Sequence, residues 1–402
     1  MFDVVIAGGG PAGLSAAAVT ARAGLKTLVV ERNAAIGIPV RTSGGSWIDE
    51  LDALGVPASL HVPIRRIRVI APQTEAAFDY VAPRMCILDV RAFLQWLAEQ
   101  AIAAGATIRL RTRAAEAIDR DGRTCGLRVR DPDGSVASIA ARSVVDATGY
   151  VSTLARQRVH DGFRAFGVGA EYDVYAPRWN ESEVALIVGR SVAPYGYAWV
   201  FPYGRGRVRI GVGIGRPQCD AEPADYLDRI CDRLEALAPL RDASPIEVHS
   251  GVIPLAPPRG IPLVRDGLIV AGDAAGQASS LVGEGIRFAM HAGRLAADAI
   301  VHAHQRGTSS DDAYGRYPTA WRRRERNLRL AFEIYRRIVL FDDVDWNREI
   351  DQLNRLTADE FAQGLKGDFT LRWLTGVAPK YAGMLVPPRF RQGIARFARR
   401  AA

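Results

Sequence analysis

The residues of this chain best suited to chemistry fall into three clusters. Near its start, Gly8-Gly9-Gly10-Pro11-Ala12-Gly13 fits a G-x-G-x-x-G turn. The acid Glu31, with Arg32 beside it, follows at close to the ~20-residue spacing between such a turn and a ribose-binding carboxylate. In that pattern Gly8 permits a tight strand-to-helix turn, Gly10 admits a pyrophosphate to the backbone, and Gly13 lets helix and strand pack closely. Pro11 and Ala12 open the helix, whose unpaired N–H groups and dipole favour an anion. Further on, Gly272-Asp273 ends a buried apolar run, and Gly283-Glu284-Gly285-Ile286 precedes a helix. An acid so placed can bond a ribityl hydroxyl while a helix N-terminus faces an electron-rich ring or phosphate. The third cluster is Tyr197-Ala198-Trp199-Val200-Phe201-Pro202. In a strand its three aromatic rings share one face and form a wall, with the proline ending the strand.

The elements that must position these residues are legible from pattern. The runs Val4-Val5-Ile6-Ala7 and Leu28-Val29-Val30 flank a small-residue helix, which predicts a βαβ unit over residues 2–32. Ile87-Leu88-Asp89-Val90-Arg91 leads into a helix reaching about Ala104, with Phe93, Leu94, Leu97, Ala101 and Ile102 at helical spacing. Asp131-Pro132-Asp133-Gly134 is a hairpin turn, and residues 143–149 and 267–273 read as buried strands. Between them Val208, Ile210, Val212 and Ile214 alternate with Arg207, Arg209, Gly211 and Gly213, which predicts a sheet with one buried face. The expected fold is α/β: a discontinuous Rossmann-like domain (1–60, 86–160 and 256–325), an inserted β-sheet substrate domain (61–85 and 161–255) and a helical C-terminal region (326–402).

Composition narrows the classes. The 402 residues carry a net charge of +8 with 24% charged and 48% apolar residues, the profile of an ordinary globular chain. The excess charge is arginine, since Lys26, Lys366 and Lys380 are the only lysines, and it is not taken as a sign of nucleic-acid binding. Cys86, Cys125, Cys219 and Cys231 form no C-x-x-C pair, and His302 and His304 point to different helix faces, so no metal site is expected. The first strand begins at once and no long apolar run occurs, which predicts a cytoplasmic protein. Residues 387–402 place Phe390, Ile394 and Phe397 among arginines, a pattern that fits either a helix docked by its apolar face or a peripheral membrane contact.

Taken in order, these motifs resemble FAD-dependent oxidoreductases with the glutathione-reductase type of Rossmann fold, and among them the geranylgeranyl reductase family, related to aromatic hydroxylases. The resemblance implies FAD, with Glu31 on the adenosine ribose, Arg91 near the phosphates or ribose, and Asp273 on the ribitol or pyrophosphate. Gly272 would accompany Asp273, and Gly283, Glu284, Gly285 and Ile286 would border the isoalloxazine. Tyr197 to Pro202 is similar to the family's Y/F-x-W-x-F-P signature, implying that Tyr197, Trp199, Phe201 and Pro202 line an isoprenoid pocket. Two segments depart from the family. Arg41-Thr42-Ser43-Gly44, expected beside the cofactor, has Thr42 at the family's cysteine and Gly44 at its glutamate. Asp146-Ala147-Thr148-Gly149 has Thr148 where the family's A-D-G-x-x-S has its acid.

The implied activity is saturation of C=C bonds in an isoprenoid or other lipid-like small molecule by hydride transfer from reduced flavin N5. No catalytic residue is assigned, although Tyr197 and Glu284 are candidate proton donors. A flavin monooxygenase acting on an apolar or aromatic substrate shares most of the motifs, and a flavoprotein that binds lipid without turnover is a third reading. Gly211-x-Gly213-x-Gly215 precedes no helix, so electrons would come from transiently docked NAD(P)H or a ferredoxin-like protein.

Overall fold

The structure is a computed structural model that describes residues 1–158, 163–256, 261–377 and 380. Val4, Val5, Ile6 and Ala7 are all 0% exposed, as expected of a central strand covered on both faces. That strand, Phe2–Ala7, lies in a sheet ordered Val264–Arg265, Leu268–Val270, Val136–Asp146, Phe2–Ala7, Thr27–Val30, Thr107–Arg109. All its neighbours pair in parallel except the edge strand Val264–Arg265. The hairpin strands Arg113–Arg120 and Arg123–Arg130 extend it through Val136–Asp146, with Asp131 to Gly134 closing the turn. Helix Pro11–Arg22 packs against the long helix Ile286–Gln305, their alanines sharing one core with the strands.

A second sheet has seven strands, ordered Pro245–Pro254, Phe166–Tyr175, Arg207–Arg216, Tyr197–Gly204, Glu183–Ile187, Arg66–Ile70, Glu75–Asp79. Val208, Ile210, Val212 and Ile214 pack with Leu227 and Ile230 of helix Pro223–Arg233, as the alternation requires. The opposite face is buried as well, contrary to expectation. Arg209, on that face, is 2% exposed because its guanidinium donates to the Ser43 and Leu88 carbonyls of the other half of the molecule. Pro202 likewise does not end its strand: it pairs with Val208 inside a strand that runs to Gly204.

A small sheet of Gly45–Trp47, Met85–Leu88 and His61–Ile64 joins the two large ones. Helices Arg316–Ile338, Asp343–Leu353, Ala358–Lys366 and Leu371–Val377 complete the described chain. The Phe361 ring stacks on Phe78 at 4.0 Å, and Ile350, Leu353, Phe361 and Trp373 share a core with Trp199 and Phe201. Among the described residues no helix is long and apolar enough to cross a membrane. Residues 387–402, read as a docked or membrane-lying helix, fall outside the described residues.

Candidate active site

The first turn has the geometry its glycines demand. Gly8 adopts φ +110°, and a Cβ there would lie 2.2 Å from the Ala147 carbonyl oxygen; one on Gly13 would lie 2.0 Å from the Gly8 oxygen. A Cβ on Gly10 would meet nothing within 4 Å, so the backbone there faces open space at the N-terminus of the helix. Glu31 is 9% exposed and accepts hydrogen bonds from the Gly9 and Asn33 N–H groups at 2.8 Å each. The neighbouring strand end is fixed by Asp146. Its buried carboxylate accepts the Thr148 hydroxyl at 2.6 Å and the Thr148, Leu154 and Ala155 N–H groups at 3.1, 2.9 and 2.8 Å. Thr148, at the family's acid position, therefore serves as a donor to an acid two residues earlier.

Asp273 opens the facing turn, held by Gln277, whose side-chain oxygen accepts the Gly272 N–H at 2.7 Å and whose amide reaches the Tyr317 hydroxyl at 2.9 Å. Burial, with no donor among the described residues to offset it, raises the Asp273 carboxyl to about 6. Glu284 is held by Arg287 at 2.9 and 3.0 Å and by the Ser46 hydroxyl at 3.4 Å, and burial raises its carboxyl too. A cavity of about 950 Å³ runs from the Gly8 turn past Asp273 and Glu284 to the seven-stranded sheet.

The cavity-facing side of that sheet is largely bare backbone. Gly251, Gly169 and Gly213 form one transverse row with Tyr197, and Gly167 and Gly215 lie in the next. The floor ends at a polar row: His249 pairs with Glu171, Glu171 with Gly211, and Gly211 with Trp199. A Cβ on Gly211 would lie 2.2 Å from the indole, and in that space the Trp199 ring crosses a strand to donate its N–H to Glu171 at 2.8 Å. Tyr197, Trp199 and Phe201 line the cavity as a wall, with centroids 5.5 and 6.2 Å apart. The Tyr197 hydroxyl donates to the Val282 carbonyl at 2.6 Å and so ties the wall to the Gly283 turn.

Comparison with known proteins gives the family and the fold. Residues 45–299 match the family model described as FAD dependent oxidoreductase, and residues 1–51 match the Thi4 family model. A digeranylgeranylglycerophospholipid reductase of Methanothermobacter thermautotrophicus is 32% identical over 88% of this chain and 91% of its own. The chain belongs to this family of FAD-dependent oxidoreductases. A second such reductase, from Methanoculleus marisnigri, is also 32% identical, over 90% of this chain and 92% of its own. The fold is shared with a geranylgeranyl bacteriochlorophyll reductase-like protein of Thermoplasma acidophilum, TM-score 0.85 at 24% identity over 96% of this chain and 97% of that one.

The residues present fit the FAD that the family implies. The open backbone at Gly10, the buried Glu31 and an Asp273 carboxyl that takes no donor among the described residues face one continuous cavity. Gly8, Gly10, Pro11, Ala12, Glu31 and Arg32 line its first end, and Arg41, Thr42, Ser43 and Gly44 its middle. Gly272, Asp273, Gly283, Glu284, Gly285 and Ile286 lie across from them. Three expected residues do not line it. Gly13 is packed beneath Gly8, Pro202 is buried in its strand, and Arg91 places its guanidinium 3.2 Å from Glu247. For Arg91 the acid is supplied by an edge strand distant in sequence, which a helix-start arginine gives no means of foreseeing.

Sequence reasoning missed the far wall. Ile334, Tyr335 and Ile338, then Trp346, Ile350 and Leu353, line the cavity from two C-terminal helices. Their three-to-four-residue spacing is a readable signal of a helix face buried against something. Missed too were Glu171 and His249, which also line the cavity; their pairing depends on strand register.

Proposed function

We propose that this protein reduces C=C bonds in the isoprenoid chains of a lipid, a reading supported by relatives named digeranylgeranylglycerophospholipid reductase. The observation that carries the reading is the cavity itself, in which the cofactor end continues without a break into a wall of Tyr197, Trp199, Phe201 and C-terminal apolar side chains. A long hydrocarbon offers no polar handle, so a binding site for it must work by shape and apolar area. Bound reduced flavin supplies the electrons and one hydrogen for the saturation. The chain's own residues orient the alkene on the glycine floor, and the C-terminal helices exclude water. Glu31, Asp273 and the Gly283 turn hold the cofactor, and an external donor, NAD(P)H or a ferredoxin-like protein, reloads it.

Neither Tyr197 nor Glu284, the two candidate proton donors, is free within these contacts, since the Tyr197 hydroxyl is committed to Val282 and Glu284 to Arg287. The test of the reading is anaerobic: holoenzyme reduced with dithionite is mixed with a digeranylgeranylglycerophospholipid, and flavin reoxidation is followed with mass analysis of the lipid. The expected product is heavier by two hydrogens per bond reduced. Product that forms only with oxygen and gains an oxygen atom would instead establish a monooxygenase.

A further inference from the structure

The polar row at the edge of the glycine floor continues to the surface. Glu171 is 4% exposed and lines the cavity, with its carboxylate between the Trp199 indole at 2.8 Å and the His249 Nδ1 at 3.2 Å. His249 is 7% exposed, and its Nε2 lies 2.9 Å from Glu247. The Glu247 side chain is 39% exposed and carries Arg91 at 3.2 Å on its outer side. One row of contacts therefore spans from solvent to the cavity, through side chains brought together by the register of two adjacent strands.

We propose that this row, Glu247 to His249 to Glu171, is the route by which the proton completing the reduction enters the cavity, with Glu171 delivering it. The inference rests on the reductase reading. The alkene π bond breaks, and one C–H bond forms with the electrons and hydrogen supplied by the flavin. The other forms with the Glu171 proton, leaving a carboxylate. Glu247, protonated from solvent, then gives a proton to Nε2 of the Nδ1–H imidazole, the imidazolium so formed passes its Nδ1 proton to the Glu171 carboxylate, and the ring returns from the Nε2–H to the Nδ1–H tautomer before the next cycle. One proton enters for each bond saturated.

The charges around the row favour a cationic His249, and the imidazole and Arg91 hold the Glu247 carboxyl below its usual value. Facing Glu171 are His249 from the edge strand, the Arg209 guanidinium 3.8 Å away on the other neighbouring strand, and the Trp199 and Tyr197 side chains beyond it. Facing His249 are Glu171, Glu247 and Arg209, and the Arg41 backbone packs where a Cβ of Gly251 would lie. The hydrogen bond to Glu171 raises the imidazole above its usual value, with Glu247 adding to it against burial. The imidazolium formed between the two carboxylates is thus favoured toward neutral pH, where its Nδ1 proton can pass to Glu171. Arg209 is anchored on the Ser43 and Leu88 carbonyls, which places the row beneath the Arg41 to Gly44 segment at the middle of the cavity.

The test uses holoenzyme reduced with dithionite, then mixed anaerobically with digeranylgeranylglycerophospholipid, alongside an imidazole NMR titration of the oxidised protein. Glu171→Gln is expected to slow flavin reoxidation by lipid about 100-fold or more, the scale of a lost general acid. Its dithionite reduction and flavin content should remain those of the wild type. Glu247→Gln, at a half-exposed site that leaves the core intact, should slow reoxidation less and shift the pH profile downward. Both variants should lower the pH at which the His249 imidazole titrates, a readout independent of turnover. Wild-type-like reoxidation and pH profiles in both variants, with the wild type active, would overturn the proton route alone. A wild-type protein that lipid never reoxidises would overturn the reductase reading and this inference with it.

Discussion

The two ends of the cavity are built in different ways. At the Gly8 end, the groups proposed to bind the cofactor are backbone N–H groups and carboxylates, held by contacts such as the Glu31 bond to Gly9 within a single βαβ unit. At the far end they are side chains from strands of the seven-stranded sheet and from helices over a hundred residues later, and the backbone contributes mainly a floor of glycines. The first construction tolerates almost no change of side chain but depends on few residues. The second distributes its shape over many apolar contacts, each of modest weight, and so can be reshaped for a different substrate without disturbing the cofactor end.

The sharpest break of that contrast is Gly13→Val. With a Cβ placed 2.0 Å from the Gly8 oxygen, backbone must move, and the expected loss is about 3 kcal/mol or more, together with the bound flavin. Urea unfolding and the flavin-to-protein absorbance ratio measure both. A variant that keeps its flavin and its midpoint would remove close helix–strand packing as the reason for a glycine at this end.

Next in size is Asp273→Asn, which should move stability and binding in opposite directions. The native carboxyl, raised to about 6 from 3.8, holds its proton more tightly than the unfolded chain does. The flavin-free protein therefore loses stability as pH rises from about 4 through 6, and the penalty is complete above that range. Replacing the carboxyl should stabilise flavin-free protein by up to roughly 3 kcal/mol at pH 8 and by almost nothing at pH 4. Flavin affinity should fall at least roughly tenfold, the scale of a hydrogen bond to a charged group. Thermal melts at the two pH values with and without FAD separate the effects, and equal melts at pH 8 would contradict a penalised carboxyl.

The same contrast explains what can be read without a structure. The Gly8 turn, Glu31, the hairpin at Asp131 and the helix after Gly285 depend on neighbours close in sequence, where periodicity and turn chemistry are informative. The burial of Arg209 depends on carbonyls at Ser43 and Leu88, and the partner of Arg91 is Glu247. Neither is visible in a local pattern. Gly211, Gly213 and Gly215 lack a following helix, which is enough to separate them from a dinucleotide turn. Their purpose, clearance for Trp199, Tyr195 and Tyr335, requires the register of adjacent strands.

Gly211→Ala probes the far end at its tightest point. The new Cβ would lie 2.2 Å from the indole, so the ring must leave the gap and Glu171 loses its N–H donor. The expected destabilisation is about 2 kcal/mol, with flavin content unchanged because no cofactor-end residue is touched. Quenched or shifted Trp fluorescence with full flavin occupancy would sharpen the separation of the two ends; loss of flavin would show them coupled.

The smallest effect belongs to Arg91. Its guanidinium and the Glu247 carboxylate are 43% and 39% exposed, and a solvated pair of this kind contributes less than about 1 kcal/mol. Arg91→Gln should therefore leave the unfolding midpoint nearly in place and the FAD dissociation constant unaltered, measured by fluorescence titration of flavin-free protein. Had the arginine reached the cofactor phosphates, its removal would weaken FAD by the roughly 1.5–3 kcal/mol of a charge-assisted contact, more than tenfold. An unchanged constant places Arg91 with the far end, as the outer partner of Glu247, and makes the Gly10 backbone and its helix N-terminus the feature on which phosphate binding depends.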